Sequence, residues 1–176
     1  MVDYDYRNCQ SLFGYAAQVY LRSGGICQLC GTGNEELDFD LWRQLTVEHL
    51  IGESQGGYLK AIRSALDKRF ADMDAAERGS LASRVDAANT VTACSFCNAT
   101  TSRTRSEVSM SDAIATAPDG PVEAVYTHIT KDLDQILESK RADVAWKLLS
   151  VRSQFDEVVC PALQAAREAR RSTPPA

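Results

Sequence analysis

No apolar run in this 176-residue chain approaches the roughly 20 residues that a bilayer-crossing helix requires. The first residues, Met1-Val-Asp-Tyr-Asp-Tyr-Arg7, lack the basic and apolar stretches of a secretory signal, so a cytoplasmic setting is expected. An excess of basic residues is missing as well. Nineteen Lys and Arg stand against 24 Asp and Glu, a net charge of -5, which excludes indiscriminate coating of nucleic acid but leaves room for a local basic patch. Histidine is confined to His49 and His128, and no internal repeat is present. The only stretch with a disordered bias is the end of the chain, where residues 173–176 read as a loose tail.

What remains is the composition of an ordinary globular protein, long enough for one domain with a core of its own. Six cysteines in a reducing compartment are poor material for disulfides. Four of them form two Cys-x-x-Cys pairs, Cys27/Cys30 and Cys94/Cys97, which read as ligands for tetrahedral Zn²⁺; Cys9 and Cys160 are left as reduced thiols. A site made only of thiolates is closed and structural. The interval from Cys30 to Cys94 is far longer than a compact zinc ribbon needs, so the metal would clamp together two distant parts of the domain.

Hydrophobic periodicity predicts the frame. Leu12, Phe13, Ala16, Val19 and Tyr20 mark a helix over Ser11 to Arg22, stopped by Gly24-Gly25. Leu45 to Ile51 is β-branched and apolar enough for a strand, with Gly52 and Gly56-Gly57 after it, and Thr90 to Ala93 reads as the returning strand. The segment between them, about residues 58–88, predicts two helices with a break near Ala71 to Asp74. A short helix is expected at or just after Cys97. Beyond the break at Pro118-Asp-Gly-Pro121, Val122, Val125, Ile129, Leu133 and Ile136 make one helical stripe. Val144, Leu148, Val151, Phe155, Val158 and Ala162 make another, which predicts a helical hairpin turning near Lys140 to Ala142, with Pro161 kinking or restarting its second arm. The two stripes pack on the core or on each other, or else serve dimerisation; stripes alone do not say what they face. Trp146, off the second stripe, suggests a helix buried on more than one side.

Chemistry concentrates at Glu48 and His49. A hard cation such as Mg²⁺ or Mn²⁺ prefers oxygen ligands and keeps waters, so the Glu48 carboxylate with the Asn98 amide oxygen makes an open site for a phosphate. His49, titrating near neutrality, can take a proton from an attacking water. The alternative is that an adjacent Glu-His on a strand is structural. Neighbours on a regular strand also face opposite ways, so both can serve one site only if the strand ends there. His128, within the first C-terminal stripe, reads as structural. The basic residues expected to meet nucleic acid are Arg43, Lys60, Arg63, Lys68, Arg69, Arg103 and Arg105, foremost Arg43, Lys60, Arg103 and Arg105.

Leu45-Thr-Val-Glu-His-Leu-Ile with Gly56-Gly57, then Asn89-x-Val-Thr-Ala-Cys-x-x-Cys-Asn98, with Cys27-x-x-Cys30 upstream, resembles the HNH endonuclease family in its variety with four zinc-binding cysteines. The resemblance covers about residues 16 to 105. It implies a ββα-metal finger in which His49 is the general base, Glu48 and Asn98 hold a catalytic divalent cation, and Asn89 braces the loop that aims the histidine, leaving 5'-phosphate and 3'-hydroxyl ends. Glu48 stands where the family usually has Asp, Asn98 where it often has His, and Thr100 and Thr101 where a basic residue often follows.

The expectation is thus an α+β protein: an HNH nuclease domain over residues 1–117, a zinc-clamped ββα-metal finger surrounded by helices, followed by a C-terminal helical hairpin over 118–172. It would act on DNA, double-stranded by preference, in the setting of restriction or other defence or of mobile elements. A zinc-stabilised DNA-binding or protein-interaction module that no longer cuts, and a nuclease directed at RNA, are the alternatives.

Overall fold

The β-branched run Leu45–His49 (β1) and the returning Thr90–Cys94 (β2) pair antiparallel, with Leu45 opposite Cys94 and His49 opposite Thr90. They are the whole sheet among the residues that the computed structural model describes, 14–36, 38–101 and 105–172. Of these, 68% are helical and 7% lie in strands, an α+β arrangement in which helices enclose a small hairpin. Cys9, Leu12, Phe13, Arg103 and the tail 173–176 lie outside the described residues.

The first helix, α1 (Gly14–Ser23), ends on Gly24 and Gly25, both at positive φ as a glycine stop requires. It docks on the sheet through polar links: the Tyr20 hydroxyl donates to Leu45 O at 2.9 Å, the Arg22 guanidinium donates to Ala87 O and Thr90 Oγ1, and the Ser23 and Thr92 hydroxyls lie 2.7 Å apart. The glycine-rich turn after Cys30 folds back tightly on this helix end. At Gly33 (φ 98°) a β-carbon would lie 2.8 Å from Gly25 O, so only glycine closes the turn. A short α2 (Phe39–Trp42), capped by Asp38, leads into β1.

Between the strands lie the two expected helices, α3 (Leu59–Arg69) and α4 (Ala75–Ala88), the second capped by Asp74. β2 runs directly into α5 (Ser95–Thr101), which begins just before Cys97. α6 (Met110–Ala115) is opened by a capping box in which Ser109 and Asp112 satisfy each other's backbone amides. The main core gathers Leu50 and Ile51 from the loop after β1, Val91 from β2, Ile62, Leu66, Leu81, Val85, Met110 and Ile114 from α3, α4 and α6, and Val125, Ile129 and Leu133 from the residues after Pro121. A second, much smaller cluster holds Cys27, Leu29, Ala93, Cys97 and Val144.

The C-terminal hairpin is not formed. Val122–Gln154 is a single 33-residue helix, α7, that passes through Lys140 to Ala142 without turning. No glycine or proline interrupts it, and Lys-Arg-Ala is good helix material. The polar residue that looked like a turn is instead packed inward: Lys140 is only 5% exposed. The first stripe and the start of the second, Val144, Leu148 and Val151, therefore belong to one continuous helix. Val125, Ile129, Leu133 and Val144 are buried, whereas beyond Val144 the helix leaves the body. Trp146 is 70% exposed rather than buried, and Leu149, Val158 and Leu163 are exposed as well. A π-helical segment, Phe155–Val159, joins α7 to α8 (Cys160–Ser172). Pro161, in the first turn of α8, cannot donate to the carbonyl four residues back, and the wider π-turn just before it absorbs that break. No described helix is long and apolar enough to cross a membrane.

Candidate metal centre and acid-base cleft

The turn at Cys27–Cys30 is pinned to β2 by Gln28, whose amide donates to Thr92 O at 2.8 Å while its side-chain oxygen accepts from the Thr92 amide. Arg141 of α7 holds the same turn from outside, donating to Gln28 O at 2.8 Å. This sets Cys27 and Cys30 opposite Cys94, at the end of β2, and Cys97, in the first turn of α5. The four sulfurs all lie within 4.8 Å of one another, with Cys30 and Cys94 4.0 Å apart. Tetrahedral zinc with Zn–S bonds of about 2.3 Å separates its sulfurs by about 3.8 Å, so the cluster fits the ion closely. Four thiols so close cannot ionise independently. Cys30, bonded by Cys27, Cys94 and Cys97, is held far below the ordinary thiol range. Cys94 and Cys97, facing Cys27 and Cys30, are pushed far above it. A divalent cation resolves this conflict by accepting all four as thiolates. The four cysteines can thus hold a structural metal such as zinc, as their spacing predicts.

On the other side of the hairpin, Asn89 ends the α4–β2 junction fully buried. Its Nδ2 donates to Ile51 O at 2.9 Å and to Gly57 O at 2.8 Å, and its Oδ1 accepts from the Ile51 amide at 2.8 Å. Three bonds from one side chain tie both ends of the loop that follows His49. Gly57 has no alternative in this arrangement: a β-carbon there would fall 1.6 Å from Ile51 O.

β1 ends at His49, so Glu48 and His49 escape the alternation of a continuing strand, and both line one open cleft of about 570 Å³ with Asn98, Tyr58, Arg105 and Lys140. The His49 ring lies against Tyr58, centroids 4.4 Å apart and tilted by 36°. Burial lowers the His49 pKa from its ordinary value, with the charges of Asp86 and Glu48 opposing. Burial thus favours the neutral imidazole. Asn98, on α5, donates from Nδ2 to Thr46 Oγ1 at 3.0 Å, and that hydroxyl spends its own proton on Ala93 O at 3.1 Å. The amide is thereby oriented, and its Oδ1 makes no hydrogen bond among the described residues.

Glu48 is buried, and its carboxylate is already engaged. Lys140 donates to Oε1, as does the Thr101 hydroxyl at 3.2 Å, and Lys140 also donates to His49 O at 3.2 Å. Both partners use the same oxygen, so Oε2 is left to the cleft. Lys140, Thr101, Thr46 and Tyr58 were not singled out from sequence. For Lys140 a signal existed, because Leu133, Leu137, Lys140 and Val144 recur at four, three and four, which puts a lysine on a core-facing row.

Of the basic residues predicted to meet nucleic acid, Arg105 lines this cleft. Lys60 is exposed on α3 beside Arg63 and Lys68, in a separate hollow. Arg43 is exposed and paired with Asp40, its partner in the α2 segment. His128 lies half-buried with Nε2 3.2 Å from Thr116 Oγ1, away from the cleft, in keeping with a structural part.

No protein-family model matches the chain, and no curated protein or solved structure matches it.

Proposed function

We propose that the protein is a divalent-metal-dependent endonuclease of the HNH type that hydrolyses phosphodiester bonds of DNA, with the β1–β2–α5 unit as its ββα-metal finger. The observation that carries this reading is the triple brace from Asn89 across the loop after His49, which holds the imidazole in the cleft that Glu48 and Asn98 also line.

A metal of the Mg²⁺ or Mn²⁺ class suits the donors present. Glu48 Oε2 and Asn98 Oδ1 are hard oxygens without hydrogen-bond partners among the described residues, on two elements of one cleft wall. Such an ion would supply Lewis-acid stabilisation of charge on the phosphate and on the leaving oxygen. The chain's own residues do the rest. His49, neutral and stacked on Tyr58, accepts the proton of the attacking water as the new oxygen–phosphorus bond forms and the bond to the 3' oxygen breaks. Arg105, exposed at the rim, contributes positive charge to the incoming backbone. The leaving 3' oxygen takes a proton from solvent water, and the products carry a 5'-phosphate and a 3'-hydroxyl.

Incubation of supercoiled plasmid with the zinc-loaded protein and Mg²⁺ or Mn²⁺ is expected to give nicked or linear DNA. EDTA abolishes the reaction, and His49→Ala slows it by about 10²-fold or more. A wild-type protein that is folded and zinc-bound yet cuts neither plasmid, modified DNA nor RNA would leave the finger as a binding module, the reading that the Glu48–Lys140 pair and the acidic net charge favour. Cleavage of RNA alone would move the substrate class.

The same reading gives the C-terminal arm its partner, a second copy of the chain, because one finger cuts one strand. Leu148, Val151, Phe155, Val159 and Leu163 are all exposed at steps of three and then four. Repeated four-residue steps drift around an α-helix, and the wider π-turn between Phe155 and Val159 takes up that drift, so these side chains keep to one face. Antiparallel pairing about that turn keeps the basic ends at Arg167, Arg170 and Arg171 of the two copies apart, whereas parallel pairing stacks the arginines. Val151→Glu with Phe155→Glu is expected to convert a dimer to a monomer in analytical ultracentrifugation. The melting temperature of the nuclease body stays the same, since neither side chain is buried within the chain. A wild type that is monomeric at tens of micromolar would sink this assignment.

A further inference from the structure

Lys140 has no part in the mechanism above, yet it is the best-buried cation near the cleft, and its ammonium sits on the carboxylate that the mechanism assigns to a metal. A lysine stem on a core-facing row of α7 costs packing and desolvation, and its charge is tolerated there because Glu48 is opposite. The link is not incidental to the hairpin. The same ammonium donates to His49 O, and Thr101 of α5 donates to the same Glu48 oxygen, so the contact joins α7, β1 and α5 at the point where the acid-base groups meet.

The position of Lys140 between two hollows matters equally. It lines the cleft of His49 and Asn98, and it also lines a neighbouring cleft of about 270 Å³ whose walls carry Glu107, Asp132 and Asp143 against the single charge of Arg105, which lines both hollows. A flexible four-carbon stem rooted between Glu48 and a second set of acids has two places for its charge.

We propose that Lys140 is a built-in competitor for the catalytic cation: it neutralises Glu48 in the metal-free protein, and a divalent ion binds by displacing the ammonium toward the acidic neighbouring cleft. This rests on the reading of Glu48 as a metal ligand. Metal binding is then an exchange of one cation for another rather than an addition. It is weaker than the donor set alone would give, and it spares the chain a buried, uncompensated carboxylate when no metal is present. Two cations cannot share Glu48 without strong repulsion, since like charges a few ångströms apart repel even at the effective dielectric of a protein surface.

The experiment is Mn²⁺ binding to zinc-loaded protein without DNA, read from the loss of the free Mn²⁺ electron paramagnetic resonance signal. Lys140→Met is expected to bind Mn²⁺ about tenfold or more tighter than wild type. Lys140→Arg, which keeps the charge, should stay near wild type, and Glu48→Gln should lose the site. Should Lys140→Met fail to fold, Lys140→Gln, which leaves Glu48 a neutral donor, carries the same expectation. Equal or weaker Mn²⁺ binding in the folded neutral variants overturns the proposal and makes Lys140 a positioning group for Glu48, while leaving plasmid cleavage by the wild type standing. Absence of any Glu48-dependent Mn²⁺ binding in every protein, Lys140→Met included, removes the metal assignment itself.

Discussion

Removing zinc is expected to dismantle the cysteine side of the molecule while much of the helical body survives. The small cluster around the four cysteines contains, besides Cys27 and Cys97, only Leu29, Ala93 and Val144 as buried apolar residues, too little surface to hold a turn against the sheet without the metal. Structural zinc sites contribute about 10–16 kcal/mol at neutral pH, as much as the whole stability of a typical domain. The main core has its own set of fully buried side chains from α3, α4, α6 and the first half of α7, and none of these touches the sulfurs. A strong chelator should therefore produce a partly unfolded protein. Amide exchange accelerates by orders of magnitude over residues 26–34 and 92–101 and much less over α3 and α4, and the helical circular dichroism falls only in part. Cys97→Ser should do the same without chelator. Because Asn98 follows Cys97 on α5, cleavage should vanish in both cases even with Mg²⁺ in excess. Unchanged exchange at Gln28 and Thr92 after complete zinc removal would show that the sulfurs are packed thiols and nothing more.

The second large effect is expected at Asn89. Its side chain satisfies the amide of Ile51 and the carbonyls of Ile51 and Gly57, all in the buried interior. Asn89→Ala leaves these three backbone groups without partners at roughly 1–3 kcal/mol each, so a loss of about 3–6 kcal/mol is expected from the midpoint of urea unfolding. Asn89→Asp keeps the shape but sets a carboxylate against two carbonyl oxygens, and should be no better. Gly57→Ala strikes the same junction from the other side, because its β-carbon has no room beside Ile51 O. All three should lower cleavage more than a surface substitution of equal size, since His49 stands two residues before Ile51. A folded Asn89→Ala that loses under 1 kcal/mol and cuts normally would mean that the loop is held by something else.

Much of this arrangement is legible in the sequence, and the reasons differ from place to place. The cysteines declare themselves because thiol pairs at that spacing have few other uses in a reducing compartment, whatever the fold around them. The hairpin and its two-helix insertion are legible from periodicity: Leu45–His49 and Thr90–Cys94 are short β-branched runs, and the buried Ile62, Leu66, Leu81 and Val85 sit on rows of helical spacing. Asn89 could be named as a brace only through the family resemblance, since its three partners lie 32 to 38 residues away. The unbroken α7 is not legible in the sequence for a related reason. Lys140 between two apolar stripes looks like a turn when only its neighbours are considered, and it becomes a buried helical residue only because Glu48, 92 residues earlier, accepts its charge. The caps of α2 and α6 were present in the sequence, Asp38 before Phe39 and the Ser109–Asp112 box, and these short elements follow from caps more than from hydrophobic rows.

The unbroken course of α7 also has a mechanical side. Lys140 and Val151 share one helix, eleven residues and about 16 Å apart, with no glycine, proline or kink between them. The first joint along the chain, the π-turn at Phe155–Val159, lies farther out still. A torque or axial pull taken up by the protruding half meets the buried Val144 and the bond from Arg141 to Gln28 O before it reaches the ammonium beside Glu48. The protruding half is thus held at the cysteine turn, and the pair of Lys140 with Glu48 lies on the body side of that grip.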